Sequence, residues 1–204
     1  VIDAYLMQDG KTIEEARATG EYSETGNSRV LKYFSGYRLL RGTYNMYVNR
    51  EMRFYACVGF NGCYWPATSC TNTDVRNQTV YYYKGGNAGP QTAGSSQQEQ
   101  NQCITGYVLK KYIHPEDNWY NGNGATRVNK VFPIIRYAEI LLSYAEAINH
   151  LQSSHTVTLP SGQTYTFSRN SNLEDMLFAF NQVRFRSGLP ALKPEQYTSE
   201  DAMD

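Results

Sequence analysis

The chain has 204 residues, enough for one domain with a substantial core, and carries 19 basic against 19 acidic residues. That balance gives it no general electrostatic pull on nucleic acid or on an anionic membrane surface. No apolar run approaches the roughly 18–20 residues needed to span a bilayer. Aromatics reach 14% with 18 tyrosines, whose apolar rings and polar tips suit partly wet binding surfaces as well as cores.

Residues 1–130 read as a loop- and strand-rich region. Turn signals at Asp9-Gly10, Thr25-Gly26-Asn27 and Ser35-Gly36 break its first third, with one or two helical turns expected over Ile13–Ala18. The stretch from Arg53 to Phe60 alternates, placing Phe54, Ala56, Val58 and Phe60 on one face of an expected strand. Thr79–Tyr83 and Gly106–Ile113 also have strand composition. A strand through Tyr81, Tyr82 and Tyr83 points rings to both faces, so at least one ring is expected in solvent. Between these stretches, Gly85–Gln102 is a long polar loop rich in Gly, Ser, Asn and Gln, and a second loop runs from His114 to Asn129.

Residues 131–204 switch to helical period. Pro133 suits a first helical turn, and Ile134, Ala138, Leu141, Leu142, Ala145 and Ile148 form one apolar stripe. A second helix is expected from Asn172 as N-cap, with Asp175 three positions on. Leu173, Met176, Leu177, Phe180 and Val183 give its stripe, and Gly188 with Pro190 its stop. Two such helices predict a helical hairpin of the tetratricopeptide kind. The opening at Val1 without Met, and helix-start chemistry over Thr198–Met203 just before the chain stops, lead to the expectation of a piece of a longer protein.

Candidate chemistry is sparse. Cys57, Cys63, Cys70 and Cys103 form no Cys-x-x-Cys pair and are not spaced with His114, His150 and His155 for zinc. Disulfides and buried thiols both remain open, and no cofactor site is implied. Glu116-Asp117 beside His114 and Trp119 has the composition of a glycosidase acid pair next to a sugar platform, but adjacent loop carboxylates are commonplace. Glu139 and Glu146, two turns apart, read as helix-surface acids. A carbohydrate-binding reading fits two loop clusters, Tyr64-Trp65 after Asn61-Gly62 and Asp117-Asn118-Trp119-Tyr120-Asn121. Their rings offer faces to sugar C–H groups, and their amides and carboxylate offer partners to hydroxyls. Trp119 reads equally as platform or as a plug of its loop, and plugging is the better reading for Trp65.

The run Phe132-Pro-Ile-Ile-Arg136-Tyr-Ala-Glu-Ile-Leu-Leu-Ser-Tyr-Ala-Glu-Ala147 closely resembles the helix signature of the SusD/RagB family, surface lipoproteins of Bacteroidota that capture nutrients. Further stretches resemble the family in the right order: Val1–Tyr5 with Asp9-Gly10-Lys11, Asn49–Ala56 followed by Asn61-Gly62 and Trp65, Lys110-Lys111-Tyr112, and Phe180–Pro190. Glu51-Met52 depart from the Asp-Pro usual there, so the following turn is expected to differ. The resemblance implies a mainly α scaffold of tetratricopeptide-like pairs with irregular β and loop excursions, and an outer-membrane, cell-surface location. The lipid-anchored cysteine and the N-terminal half would lie outside this chain. It also implies non-catalytic capture of an oligosaccharide or polysaccharide in partnership with a SusC-like TonB-dependent transporter. The alternatives are a glycoside hydrolase, or a peptide-capturing or structural component of the same complex. The choice of Tyr64, Trp65, Asp117, Asn118, Trp119, Tyr120 and Asn121 as sugar contacts rests on local chemistry, not on the family.

Overall fold

The structure is a computed structural model and describes residues 2–29, 31–34, 37–74, 76–90, 103–117 and 127–202. The chain divides into two compact units, residues 1–131 and 132–204. With 28% helix and 14% strand among the described residues, it is mixed rather than mainly α. Among the described residues its strands form four separate two-stranded antiparallel ribbons, with no closed sheet.

The first unit opens with a short 3₁₀ turn and then helix α1 (Ile13–Ala18). Thr12 and Glu15 cap α1 reciprocally, each side chain accepting the other's backbone N–H. Gly10 and Gly26 take left-handed φ of 89° and 80° at the turns expected there. Ribbon β1–β2 (Lys32–Phe34, Tyr37–Leu39) follows; the Ser35-Gly36 turn signal lies outside the described residues.

The strand expected over Arg53–Phe60 is replaced by a helix, α2 (Met52–Cys57), and a shorter strand, β3 (Val58–Phe60). The reason lies in Phe54 and Tyr55, which are adjacent and both buried. A strand would send them to opposite faces, whereas a helical turn turns both inward and leaves Ala56 outside. β3 pairs with β6 (Tyr107–Leu109), and β4 (Cys63–Tyr64) with β5 (Thr79–Val80). The two longer strands expected around β5 and β6 therefore shrink to these segments. Part of the polar loop, residues 91–102, lies outside the described residues.

Phe54, Phe60, Tyr47 and Tyr55 form an aromatic core. The Tyr47 and Phe60 rings lie 4.4 Å apart, and those of Phe54 and Phe60 5.3 Å apart and stacked. Arg50, 1% exposed, runs beside it with its guanidinium 4.9 Å above the Phe54 ring. It donates to the carbonyls of Ile2 (2.7 Å), Tyr5 (2.8 Å) and Met46 (3.1 Å). Glu51, also fully buried, accepts from the Leu6 N–H (3.1 Å) and takes a two-pronged ion pair from Arg53 (2.8 and 3.0 Å). Glu51 occupies the N-cap position of α2 but makes no side-chain cap bond, because its carboxylate is engaged by Leu6 and Arg53.

In the second unit, α3 spans Tyr137–Asn149 and α4 spans Leu173–Arg186, and they pack on each other. Ala145, Ile148 and Met176 are buried between them, ringed by Tyr144, Leu173, Leu177, Phe180 and Phe167. Asn172 stands at the N-cap as expected, but its carboxamide accepts from the Ser168 N–H instead of capping. Gly188, at φ 74°, closes α4, with N–H bonds from Gly188 to the Phe185 carbonyl and from Leu189 to the Arg184 carbonyl. The connection holds a hairpin that the periodicity did not signal, β7 (His155–Thr158) paired with β8 (Thr164–Phe167). Near the end of the chain, the Ala202 N–H bonds the Ser199 hydroxyl (3.2 Å), and Glu200 meets His150 (2.6 Å) at the end of α3.

Helix α3 starts three residues after the expected stripe begins. Arg136 is extended (φ −115°, ψ 145°), so Pro133 and Ile134 precede the helix, and Ile134 is 98% exposed. Phe132, Ile135, Tyr137 and Ile140 are also exposed, so this end of the unit shows five large apolar side chains to solvent.

Two outcomes follow. Arg50→Ala leaves three carbonyls without their donor and is expected to destabilise the first unit by about 3–5 kcal/mol in urea unfolding; an unchanged midpoint would show that the guanidinium is dispensable. The 204-residue chain is expected to enhance the fluorescence of an apolar dye such as ANS, and Ile134→Ser with Ile135→Ser to lower that signal with unchanged far-UV circular dichroism.

Candidate functional site

Tyr64 ends β4 and is buried, with the Arg38 guanidinium 4.4 Å over its ring. Trp65 follows, half-buried, its N–H donating to the Gln78 carbonyl (2.8 Å). Its ring lies against Gly59: a Cβ there would come within 2.8 Å of Trp65 Cζ3, 2.6 Å of Val108 Cγ2 and 3.1 Å of the Tyr82 hydroxyl. Glycine is thus what lets the indole settle onto β3. Lys110 lies beneath, buried, with Nζ 5.4 Å from the Trp65 ring centre and 3.4 Å from the Tyr55 and Tyr64 carbonyls. Burial pulls the Lys110 ammonium below its ordinary pKa. It also pushes the buried Cys63 thiol up. All four cysteines are free thiols.

The loop after Trp65 runs to the second aromatic cluster. The Thr68 N–H donates to the Pro115 carbonyl (2.8 Å), and the Ser69 hydroxyl donates to the Glu116 carbonyl. The structure therefore sets the Tyr64-Trp65 loop beside Asp117. Asn118, Trp119, Tyr120 and Asn121 lie outside the described residues.

Asp117 is 2% exposed, with both oxygens engaged. Lys130 Nζ reaches them at 2.7 and 2.8 Å, the His114 N–H donates to one (3.0 Å) and the Val128 N–H to the other (2.8 Å). These partners stand on both flanks of 118–126, so one carboxylate ties those flanks together. Burial alone would raise its pKa; the Lys130 ammonium and the two N–H donors outweigh that and hold it at about 2. A general acid must carry its proton at the working pH. Asp117, ionised and enclosed, does not present one, so Glu116-Asp117 is not arranged as an acid pair. Among the described residues no group of His, Cys, Asp and Glu is placed to hold a metal ion.

Sequence reasoning passed over two features. Lys110 read only as part of a strand motif, and nothing local to it signals that it sits under Trp65. Tyr81 and Tyr83 are exposed while Tyr82 is buried, as the expected alternation allowed, yet they were not counted among the sugar contacts.

The described parts are thus a ribbon-and-turn unit carrying half-buried aromatics, followed in sequence by a helix pair. The chain matches the model of the SusD family over residues 1–204. It belongs to that family, whose members are generally non-catalytic glycan-binding proteins of nutrient uptake, associated with SusC-like transporters and the outer membrane. The crystal structure of a SusD-like protein from Bacteroides fragilis is similar in fold, with a TM-score of 0.55 and 23% identity. That likeness covers 99% of this chain and 30% of the other, so the chain spans under a third of that relative's length. No curated protein matches the chain. No helix among the described residues is long and apolar enough to cross a membrane.

Asp117→Asn is expected to cost about 1–3 kcal/mol, less than a fully enclosed pair because Lys130 keeps access to solvent. A carboxylate held at about 2 against an ordinary value near 3.9 stabilises the fold at pH above its unfolded value. That contribution fades as pH falls toward 2. The gap between wild type and Asp117→Asn in urea unfolding should therefore be constant near neutrality and close below pH about 4; a gap independent of pH would contradict the assignment.

Proposed function

We propose that this chain binds an oligosaccharide or polysaccharide without cleaving it, at the cell surface, for uptake through a SusC-like TonB-dependent transporter. The observation that carries this reading is the meeting of the Trp65 loop with residues 115–117. Hydrogen bonds from Thr68 and Ser69 to the Pro115 and Glu116 carbonyls hold the two segments together. Asp117 closes the flanks of 118–126 with Lys130. In this reading Tyr64, Trp65, Trp119 and Tyr120 supply ring faces, and Asp117, Asn118 and Asn121 supply partners for sugar hydroxyls. A longer polypeptide would contribute the lipid anchor and the scaffold that covers the apolar face around Ile134 and Ile135. The α3–α4 pair would then be one unit of a tetratricopeptide-like stack.

Stacking contacts of this kind contribute about 1–2 kcal/mol each, roughly 5- to 30-fold in Kd. Trp119→Ala should weaken retention in native gels containing starch, xylan, mannan, laminarin or polygalacturonate, on whichever polymer retards the wild type, with unchanged circular dichroism. Unaltered retention would remove Trp119 from the site. Shortened products from labelled oligosaccharides would make the protein a glycoside hydrolase. Co-purification with a transporter and no retention on any polymer would make it a peptide-capturing or structural component.

A further inference from the structure

Beyond the loops already discussed, the turn that follows β5 holds two tyrosine rings in solvent. Tyr81 is 39% and Tyr83 57% exposed, and their rings lie 5.5 Å apart at 48°. Between them Tyr82 turns inward, its N–H donating to the Asn61 side chain (2.9 Å) and its hydroxyl lying near Gly59. The alternation is that of an extended chain, which puts Tyr81 and Tyr83 on the outer side.

This turn is built to be rigid. The Asn87 carboxamide accepts from the Tyr81 N–H (2.8 Å) and donates to the Thr79 carbonyl (2.8 Å) and to Gln78 (3.1 Å). The Ala88 N–H returns to the Tyr81 carbonyl (3.0 Å), Gly86 to that of Tyr83 (2.9 Å), and Gly85 to that of Pro90 (2.7 Å). Gly86 and Gly89 are required by space. A Cβ on Gly86 would lie 2.5 Å from the Tyr81 carbonyl oxygen, and one on Gly89 2.0 Å from that of Tyr83. The backbone that carries both rings is therefore pressed against the returning turn, residues 85–90, and fixed by it.

We propose that Tyr81 and Tyr83 form a second carbohydrate contact, a two-ring platform for adjacent sugar residues of one glycan chain. This rests on the glycan-binding reading above and names residues outside the Trp65–Asn121 region. Two large rings left in water gain nothing for folding, yet the turn spends six hydrogen bonds and two obligatory glycines to hold them. Such preorganisation lowers the entropy cost of binding. The platform is small, and its sequence neighbours are Lys84, Gly85, Gly86, Asn87 and Ala88 rather than aliphatic residues. It therefore lacks the extended apolar area of a protein-docking patch. The ring faces suit the C–H faces of sugars, and the hydroxyl tips suit their hydroxyl groups.

The test uses the whole chain on the same five polymers in native gels, comparing wild type, Tyr81→Ala/Tyr83→Ala, Tyr81→Phe/Tyr83→Phe and Trp119→Ala. On a polymer that retards the wild type, the double alanine variant should bind roughly tenfold or more weakly. The double phenylalanine variant, which keeps both ring faces, should retain most of the binding. Because both rings are exposed, circular dichroism and the urea midpoint should not move. Full retention by the double alanine variant overturns the platform while leaving glycan binding intact. Equal loss in the alanine and phenylalanine variants overturns the stacking role. Absence of retention for the wild type on all five polymers overturns the glycan reading and the platform with it.

Discussion

The first unit depends on a buried arginine and a buried glutamate that are neighbours in sequence. Arg50 fastens the carbonyls of Ile2 and Tyr5 to the 3₁₀ turn at Met46, and its guanidinium covers Phe54. Glu51 takes the Leu6 N–H and Arg53. Short ribbons of two or three residue pairs are not stable by themselves. Here they stand on an aromatic cluster, and the cluster stays closed because the segment before α1 is clasped across it by charge-assisted hydrogen bonds. Removing Arg50 takes a buried donor from its carbonyl partners, and removing Glu51 takes the acceptor from the Leu6 N–H, while the half-exposed Arg53 can turn to solvent. Such a clasp is stronger in its loss than in its net contribution.

The ribbons and turns farther along the first unit are fastened to this clasped core. The Lys110 N–H bonds the Cys57 carbonyl at the end of α2, and its ammonium sits below Trp65. The Trp65 ring and the Tyr82 hydroxyl converge on Gly59 of β3, so an indole and a phenol that composition alone would offer to a sugar instead fasten β4, β5 and the turn beyond. Asp117 is engaged in the same way by Lys130 and two backbone donors. Polar and aromatic residues are thus divided among the described ones: Trp65, Tyr82 and Asp117 are packed or paired, whereas Tyr81 and Tyr83 are exposed.

Much of this was legible in the residues. Helix α4 was bounded by Asn172 and Gly188, because a left-handed stop after an apolar stripe has few other readings. The Tyr81–Tyr83 alternation implied that at least one ring would meet water, and Tyr81 and Tyr83 do. Helix α2 was not legible, since Phe54, Ala56, Val58 and Phe60 satisfy a period of two although the first half of the stretch is helical. The deciding fact, that both Phe54 and Tyr55 have a core to enter, is tertiary. The surroundings of Asp117 were not legible for the same reason: Lys130, thirteen positions later, and the His114 and Val128 N–H groups engage both of its oxygens. The hairpin β7–β8 carries β-branched alternation in His155–Thr158 and Thr164–Phe167, but it was absorbed into an interhelical connection by its Ser and Gly content.

The outer turns thus inherit their rigidity from the Arg50–Glu51 clasp. Native-state hydrogen exchange tests it most directly, by following the amides of Leu6, Phe54, Lys110, Tyr81 and Ala88 through added urea. These amides donate to Glu51, to the Glu51 carbonyl, to Cys57, to Asn87 and to the Tyr81 carbonyl respectively. The account predicts that all five open in one cooperative step with the same free energy. Exchange of Leu6, Tyr81 and Ala88 as frayed segments, while Phe54 stays protected, would contradict it.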